Sequence, residues 1–272
     1  MNKIKVGVIG VGHLGCQHAR IYSEIPEAEL MGVYDINQEK SKKVACDLGV
    51  KSFESLESLL DKVNAVSIAV PTSAHYQVAK EVLQRKIDCL IEKPITQTVS
   101  QAQELINLAE KVNLILQVGH IERFNPAILA LKDTGINLEP KFIETHRLAA
   151  FTERGTDVAV ILDLMIHDID LILSWVKSDI EDIQAAGISV ISEADDIANA
   201  RITFKNGCVA NITASRISAK AMRKIRIFQK DLYISLDLYE KSLELYRLIK
   251  TSSLNSPTEV ERNIVGKIPV EK

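Results

Sequence analysis

The sequence predicts a doubly wound α/β domain on a parallel sheet, followed by an α+β domain on a largely antiparallel, open sheet. Over residues 1–120, short β-branched apolar runs alternate with amphipathic helical stretches, and a glycine-rich turn joins the first run to the first helix. From residue 141 onward most runs alternate apolar and polar residues with period two. Continuous apolar runs suit strands covered on both faces, whereas period two suits a sheet with one face on a core. The domains are therefore placed at residues 1–120 and 121–272.

In the first domain the expected strands are 4–10, 29–35, 65–70, 88–93 and 114–119. Helices over 13–25, 38–48, 55–61, 73–85 and 98–111 supply the crossovers, the last capped from Thr96 or Thr98. Residues 124–135 read as one connecting helix that stops at Gly135. In 198–204, Ala198, Ala200, Ile202 and Phe204 share one face and Asn199, Arg201 and Thr203 the other. Residues 209–215 repeat the pattern, and Asn206-Gly207 between them is a hairpin signal. Strands over 224–229, 233–238 and 243–248 continue the sheet, with an apolar helix over 157–175 against it. The polar tail after about residue 250 is expected to be loosely ordered.

At 272 residues the chain can bury a substantial core, and 46% apolar with 25% charged residues is an average globular composition. A net charge of −3 offers no electrostatic attraction to nucleic acid or a membrane surface. No apolar run reaches the roughly 18–20 residues of a membrane-spanning helix. The start, MNKIKVGVIGVG, has the basic opening of a secretory signal, but glycines interrupt its apolar part and no small-residue cleavage site follows. Cys16, Cys46, Cys89 and Cys208 lie far apart with no CxxC pair. That usage reads as a reduced, cytoplasmic protein that is neither disulfide-stapled nor a zinc protein.

Gly10, Gly12 and Gly15 stand in G-x-G-x-x-G spacing between a strand and a helix. That context suits a dinucleotide pyrophosphate: a tight turn, close backbone approach, close helix–strand packing, and backbone N–H groups from Gly12, His13 and Leu14 at the helix start. Asp35, twenty residues after Gly15, is placed to accept from the ribose hydroxyls and to repel a 2′-phosphate. Ile36, Asn37 and Gln38 follow, with no arginine, which favours NAD over NADP. A turn-forming aspartate, needing no ligand, is the plainer reading. Val70, Pro71 and Thr72 end a later strand at the same sheet edge, and His75 follows on the next helix.

Glu92-Lys93-Pro94 ends a further strand at that edge, where a lysine held ahead of proline points from a rigid position. In LDLMIHDIDL (162–171), Asp163, His167 and Asp170 fall on one helical face. By itself this stretch fits a metal site, a catalytic pair or a structural polar stripe. The ordered set of GxGxxG, EKP and D-x-x-x-H-x-x-D resembles the glucose–fructose oxidoreductase/inositol dehydrogenase (Gfo/Idh/MocA) family over nearly the whole chain.

The resemblance implies an NAD-dependent oxidoreductase with an N-terminal Rossmann domain, acting on a secondary alcohol without a metal. Lys93 matches the family's catalytic-site lysine, and Glu92 precedes it at the cofactor edge; the peptide bond to Pro94 is often cis in the family. Asp163 and His167 match the acid and histidine over the substrate hydroxyl, and Asp170 the later acid of that helix, while Asp168 has no role. Such an oxidation needs a base for the hydroxyl proton, for which histidine is suited, and a donor to the developing alkoxide, for which lysine is suited. Met165 replaces a glycine found in many members, implying a differently shaped pocket floor, and the chain stops where members usually continue through a further helix.

GHIERFNPA (119–127) and ERGTDVAVILDLMIHDID (153–170) resemble members that oxidise the 3-hydroxyl of UDP-N-acetylglucosamine ahead of lipid A assembly. That implies a sugar or nucleotide-sugar substrate met by Lys93, Arg123, Asn125, Arg154, Asp163 and His167, with Arg147 also a candidate for a diphosphate. His120 either faces the nicotinamide or packs. A free polyol such as an inositol is the alternative substrate, and a non-catalytic NAD- or sugar-sensing protein the alternative class. The family commonly pairs its second-domain sheets, which implies a homodimer or homotetramer.

Overall fold

The computed structural model describes residues 3–152, 158–249 and 259–265. The chain forms two compact units, Met1–His120 and Ile121–Lys272.

The first unit contains strands β1 (Ile4–Ile9), β2 (Ala28–Tyr34), β3 (Lys51–Ser52), β4 (Ala65–Ile68), β5 (Asp88–Ile91) and β6 (Leu116–Val118). Between them run helices α1 (His13–Glu24), α2 (Gln38–Leu48), α3 (Leu56–Leu60), α4 (Thr72–Gln84) and α5 (Val99–Val112). The sheet is wholly parallel, in the order β3-β2-β1-β4-β5-β6. Its order reverses between β1 and β4, and such a reversal opens a crevice at the carboxyl ends of the strands. Val8, Ile9, Val66, Ile68 and Ile91 bury the sheet between its helical layers. Helix ends follow local chemistry. The Asn37 side chain accepts from the Glu39 and Lys40 N–H groups to start α2, and Thr98 accepts from Gln101 N–H to start α5.

The second unit opens with a 3₁₀ turn, Ile121–Phe124, and α6 (Pro126–Asp133). The helix expected over 124–135 forms as α6, starting two residues later because residue 124 belongs to the 3₁₀ turn. Asn125 caps α6 by accepting from Ala127 N–H, and Pro126 sits in its first turn, where a missing N–H costs nothing. Strands β7 (Phe142–Leu148), β8 (Ile180–Ile188), β9 (Ile197–Phe204), β10 (Val209–Ser215), β11 (Met222–Gln229), β12 (Leu232–Asp237), β13 (Ser242–Ile249) and β14 (Glu259–Val265) follow. They form one sheet in the order β14-β13-β12-β11-β7-β10-β9-β8. Every pairing is antiparallel except that of β7 with β10. The period-two reading holds: Ala198, Ala200, Ile202, Phe204, Ala210, Ile212 and Ala214 are buried, and Asn206-Gly207 turns β9 into β10.

The structure also departs from expectation. β14 pairs with β13 inside the stretch expected to be loose. β8 is exposed along its whole length, so its sequence carries no burial alternation to read. The apolar helix expected over 157–175 begins as a π-type turn, Ile161–Met165, and continues as α7 (Ile166–Trp175). Residue 157 lies outside the described residues. Met165 packs in the hydrophobic core with Ile143, Leu171, Ile172 and Phe204, which places it in the unit's interior.

Between β8 and β9 the chain is organised by Asp196. Its carboxylate accepts from the Ser192 hydroxyl at 2.6 Å and from the N–H groups of Ile191 (2.6 Å), Ser192 (2.9 Å) and Val190 (2.9 Å). The Ser192 hydroxyl, then these N–H groups, hold the carboxyl well below the usual carboxylate range. A depressed folded-state value adds stability above the unfolded value of about 4, lost as pH falls below it. Asp196→Asn therefore lowers the unfolding midpoint at pH 7, and the gap from the parent protein narrows as pH falls below about 4; thermal melts across pH measure this.

Candidate functional site

The first unit brings its expected cofactor residues to the carboxyl ends of β1, β2, β4 and β5. α1 begins within four residues of the end of β1. That brevity requires glycine: a Cβ on Gly15 would collide with the Gly10 carbonyl oxygen, and Gly10 itself has φ +84 and lies against Ala69. Gly12 differs. It caps α1 at φ −69, no side chain caps the helix, and a Cβ there would meet no atom within 4 Å. Nothing among the described residues requires a glycine at this position, and the open space beside the first N–H groups of α1 fits the approach of a pyrophosphate.

Asp35 follows β2. One carboxylate oxygen accepts from Val11 N–H at 2.8 Å, inside the glycine turn, and the other from Asn37 N–H at 2.8 Å, at the start of α2. The turn-forming reading of Asp35 is seen here, because the aspartate organises the start of α2 and holds the glycine turn in place. Ile36 beside it is 90% exposed.

At β5, Glu92 continues the sheet by donating its N–H to the Ile68 carbonyl at 3.0 Å. Its carboxylate faces His18 of α1, with His18 Nε2 2.9 Å away. Gly119 packs on the same carboxylate, where a Cβ would lie 3.1 Å from Glu92 Oε1. The Glu92 side chain, expected at the cofactor from the sequence, is partly buried and engaged by His18. Lys93 follows, half-buried, with a cis peptide bond to Pro94. His75, expected at the cofactor, is instead buried with both ring nitrogens engaged, Nδ1 2.8 Å from the Pro94 carbonyl and Nε2 2.9 Å from that of Val70. His120 is half-buried at the end of this unit.

In the second unit, Asp163 lies in the π-type turn, and His167 and Asp170 lie on α7, all partly buried. A π turn inside a helix commonly accompanies a functional position. The polar residues around them are used differently from expectation. Arg123 forks onto both Asp170 oxygens, Nε to Oδ2 at 2.7 Å and Nη2 to Oδ1 at 2.6 Å. Asn125 caps α6 and donates its amide to the Leu238 carbonyl at 3.0 Å, which makes it structural. Arg147 is 3% exposed, paired with Asp168 at 2.8 Å and with Glu122 at 2.9 Å, so it is unavailable to a diphosphate. Burial pushes the Asp168 carboxyl up, and the Arg147 guanidinium pulls against it. Asp168 and Glu122 carried no expected role. Their signal was acidity amid apolar residues, which in an interior requires a partner. Arg154 lies outside the described residues. Among the described residues no three His, Cys, Asp or Glu side chains form a metal-binding group.

A Rossmann unit with a glycine cradle open at Gly12 and a lysine at the adjoining strand end, joined in one chain to an open-sheet unit, defines an NAD-binding oxidoreductase. Residues 4–120 match the Gfo/Idh/MocA oxidoreductase family, NAD-binding Rossmann fold, and residues 140–232 match the Gfo/Idh/MocA C-terminal domain. The chain belongs to this family. It is 43% identical over 246 residues to UDP-N-acetylglucosamine 3-dehydrogenase of Acidithiobacillus ferrooxidans, covering 90% of this chain and 78% of that protein. A solved structure of that organism's UDP-N-acetylglucosamine 3-dehydrogenase aligns with a TM-score of 0.92 at 40% identity, covering 100% of this chain and 85% of that one. Inositol 2-dehydrogenase of Rubrobacter xylanophilus is 27% identical over 228 residues, 79% of this chain and 66% of that protein.

Two predictions separate structural from ligand-facing roles. Gly12→Ala keeps folding stability within about 0.5 kcal/mol but weakens NAD⁺ binding at least about tenfold, whereas Gly15→Ala destabilises the fold; calorimetry and thermal melts read the two. Arg147→Met, which strands the buried Asp168 carboxylate and leaves Glu122 with Arg223 at 3.5 Å, costs about 3–5 kcal/mol. Arg123→Met, which removes the fork from an Asp170 carboxylate that is only 10% exposed, costs less than that, about 1–3 kcal/mol by urea denaturation.

Proposed function

We propose that the chain is an NAD-dependent dehydrogenase that oxidises the 3-hydroxyl of UDP-N-acetylglucosamine. The 43% identity over 90% of the chain to an enzyme of that name carries the reading. The retained Lys93, Asp163 and His167 support it. NAD supplies the hydride acceptor when bound. The Gly12, His13 and Leu14 backbone would hold its pyrophosphate, Asp35 its ribose, and the Val70-Pro71-Thr72 loop its nicotinamide half. Lys93 donates through its ε-ammonium to the substrate hydroxyl oxygen and stabilises the developing alkoxide. His167 takes the hydroxyl proton at an imidazole nitrogen, and Asp163 orients the ring or binds a neighbouring hydroxyl. Asp35, acceptor-only and already anchoring the glycine turn, disfavours a 2′-phosphate.

The protein is proposed to act in the cytoplasm and to self-associate through the outer face of its second-unit sheet. There Phe142, Phe228, Tyr233 and Tyr246 form a row with ring centroids 4.8–6.0 Å apart. The identity to an inositol 2-dehydrogenase supports a free polyol as the second reading.

Mixing protein with NAD⁺ and a sugar panel, followed by NADH absorbance, tests the proposal. UDP-N-acetylglucosamine is expected to be turned over, with inositols far slower. Lys93→Met and His167→Ala are each expected to cut kcat by at least about 100-fold. Activity surviving both substitutions overturns the assigned roles, and turnover of inositol alone overturns the substrate.

A further inference from the structure

His75 lies in the first turns of α4, 1% exposed, between two carbonyl oxygens that belong to different loops. Nδ1 is 2.8 Å from the Pro94 oxygen and Nε2 is 2.9 Å from the Val70 oxygen. Both partners only accept, so a neutral ring donates to one of them and a protonated ring to both. Val70 opens the loop that runs through Pro71 into α4. Pro94 directly follows Lys93. The backbone link across these strand ends, from Glu92 N–H to the Ile68 carbonyl, comes just before the two loops begin. The imidazole adds the next link, and its burial shields that link from competing water.

The residue on the other side of Lys93 is also held. Glu92 faces His18 of α1 at 2.9 Å and packs on Gly119. Lys93 therefore stands between two neighbours, each in contact with a histidine from a different helix. An imidazole is well suited to the Pro94 position. Its two polar atoms sit in one rigid ring, so bonding two acceptors orders few rotors.

We propose that His75 is a positioning residue that couples the cofactor loop at Val70–Thr72 to the Lys93 strand end. The ring sets the distance between the two loops, so that cofactor binding and the placement of the Lys93 amine depend on one side chain. This inference rests on the hydride-transfer reading of Lys93 and on the assignment of the Val70 loop to NAD.

The test separates the two ends of the ring. The amide nitrogen of an asparagine falls near the Nδ1 position, and that of a glutamine near Nε2. His75→Asn thus keeps a polar atom facing the Pro94 carbonyl and loses the one facing Val70, while His75→Gln does the reverse. NAD⁺ affinity is measured by calorimetry, and the acylation rate of the Lys93 amine by mass spectrometry, neither of which needs turnover. His75→Asn is expected to weaken NAD⁺ binding about tenfold and leave Lys93 labelling within about twofold. His75→Gln is expected to keep NAD⁺ affinity within about twofold and speed Lys93 labelling roughly fivefold. Val82→Ala, a cavity in the same helix, lowers the melting temperature and should move neither readout.

The two amide variants shifting both readouts alike, neither shifting either, or Val82→Ala reproducing their effects would each overturn the proposal. Parent protein that binds NAD⁺ yet leaves UDP-N-acetylglucosamine unchanged would instead overturn the substrate reading, with both His75 readouts intact.

Discussion

The absence of a side chain at Gly15 is the constraint on which the first unit depends. Because no Cβ intervenes, α1 seats against the Gly10 carbonyl and starts almost as soon as β1 ends. That seat aims the helix N-terminus, with its unsatisfied N–H groups and positive end, at the carboxyl edge of the sheet. Asp35 then fixes the turn from the side by accepting from Val11 N–H, and accepts from Asn37 N–H at the head of α2. A single carboxylate thus sets the relation between the glycine turn, β2 and α2. Gly12 is the one glycine of the motif beside which a Cβ would meet no atom of the described residues within 4 Å.

A buried charge knot has the corresponding role in the second unit. Arg147 of β7 binds Asp168 of α7 and Glu122 of the entry turn, joining three elements that the backbone ladder leaves separate. Ionised groups in an interior are costly alone and tolerable only as a satisfied set. Meeting that requirement fixes the rotation of α7, because Asp168 must face inward. With Asp168 and Met165 turned to the core, His167 and Asp170 keep partial exposure, and the π-type turn carries Asp163 ahead of them. The chemistry of this helix is therefore presented by the neighbours that it buries.

Much was legible because it depends on local chemistry. The strand–glycine–helix order, the parallel sheet, the β9–β10 hairpin and the cap at Thr98 all follow from period, turn residues and capping residues a few positions apart. What escaped depends on partners distant in sequence. β8 is exposed on both faces and so shows no alternation, while β14 exists through its ladder to β13. Arg123, Asn125 and Arg147 look alike to a reader searching for anion ligands. Only their neighbours reveal an exposed fork, a helix cap and a buried ion pair.

By itself the sequence determined the family and the cofactor class, and it singled out Lys93, Asp163 and His167 as the residues to test. Motif order and spacing suffice for these, since each motif acts through its own few residues. The tertiary structure alone decided which polar groups are already engaged. It placed the His75 ring between the Pro94 and Val70 carbonyls and the Glu92 carboxylate on His18, and made Asp168 part of the core. The physical reason is that a hydrogen bond or ion pair needs its partner within about 3 Å, and sequence separation says nothing about which distant carbonyl or carboxylate the fold will bring there.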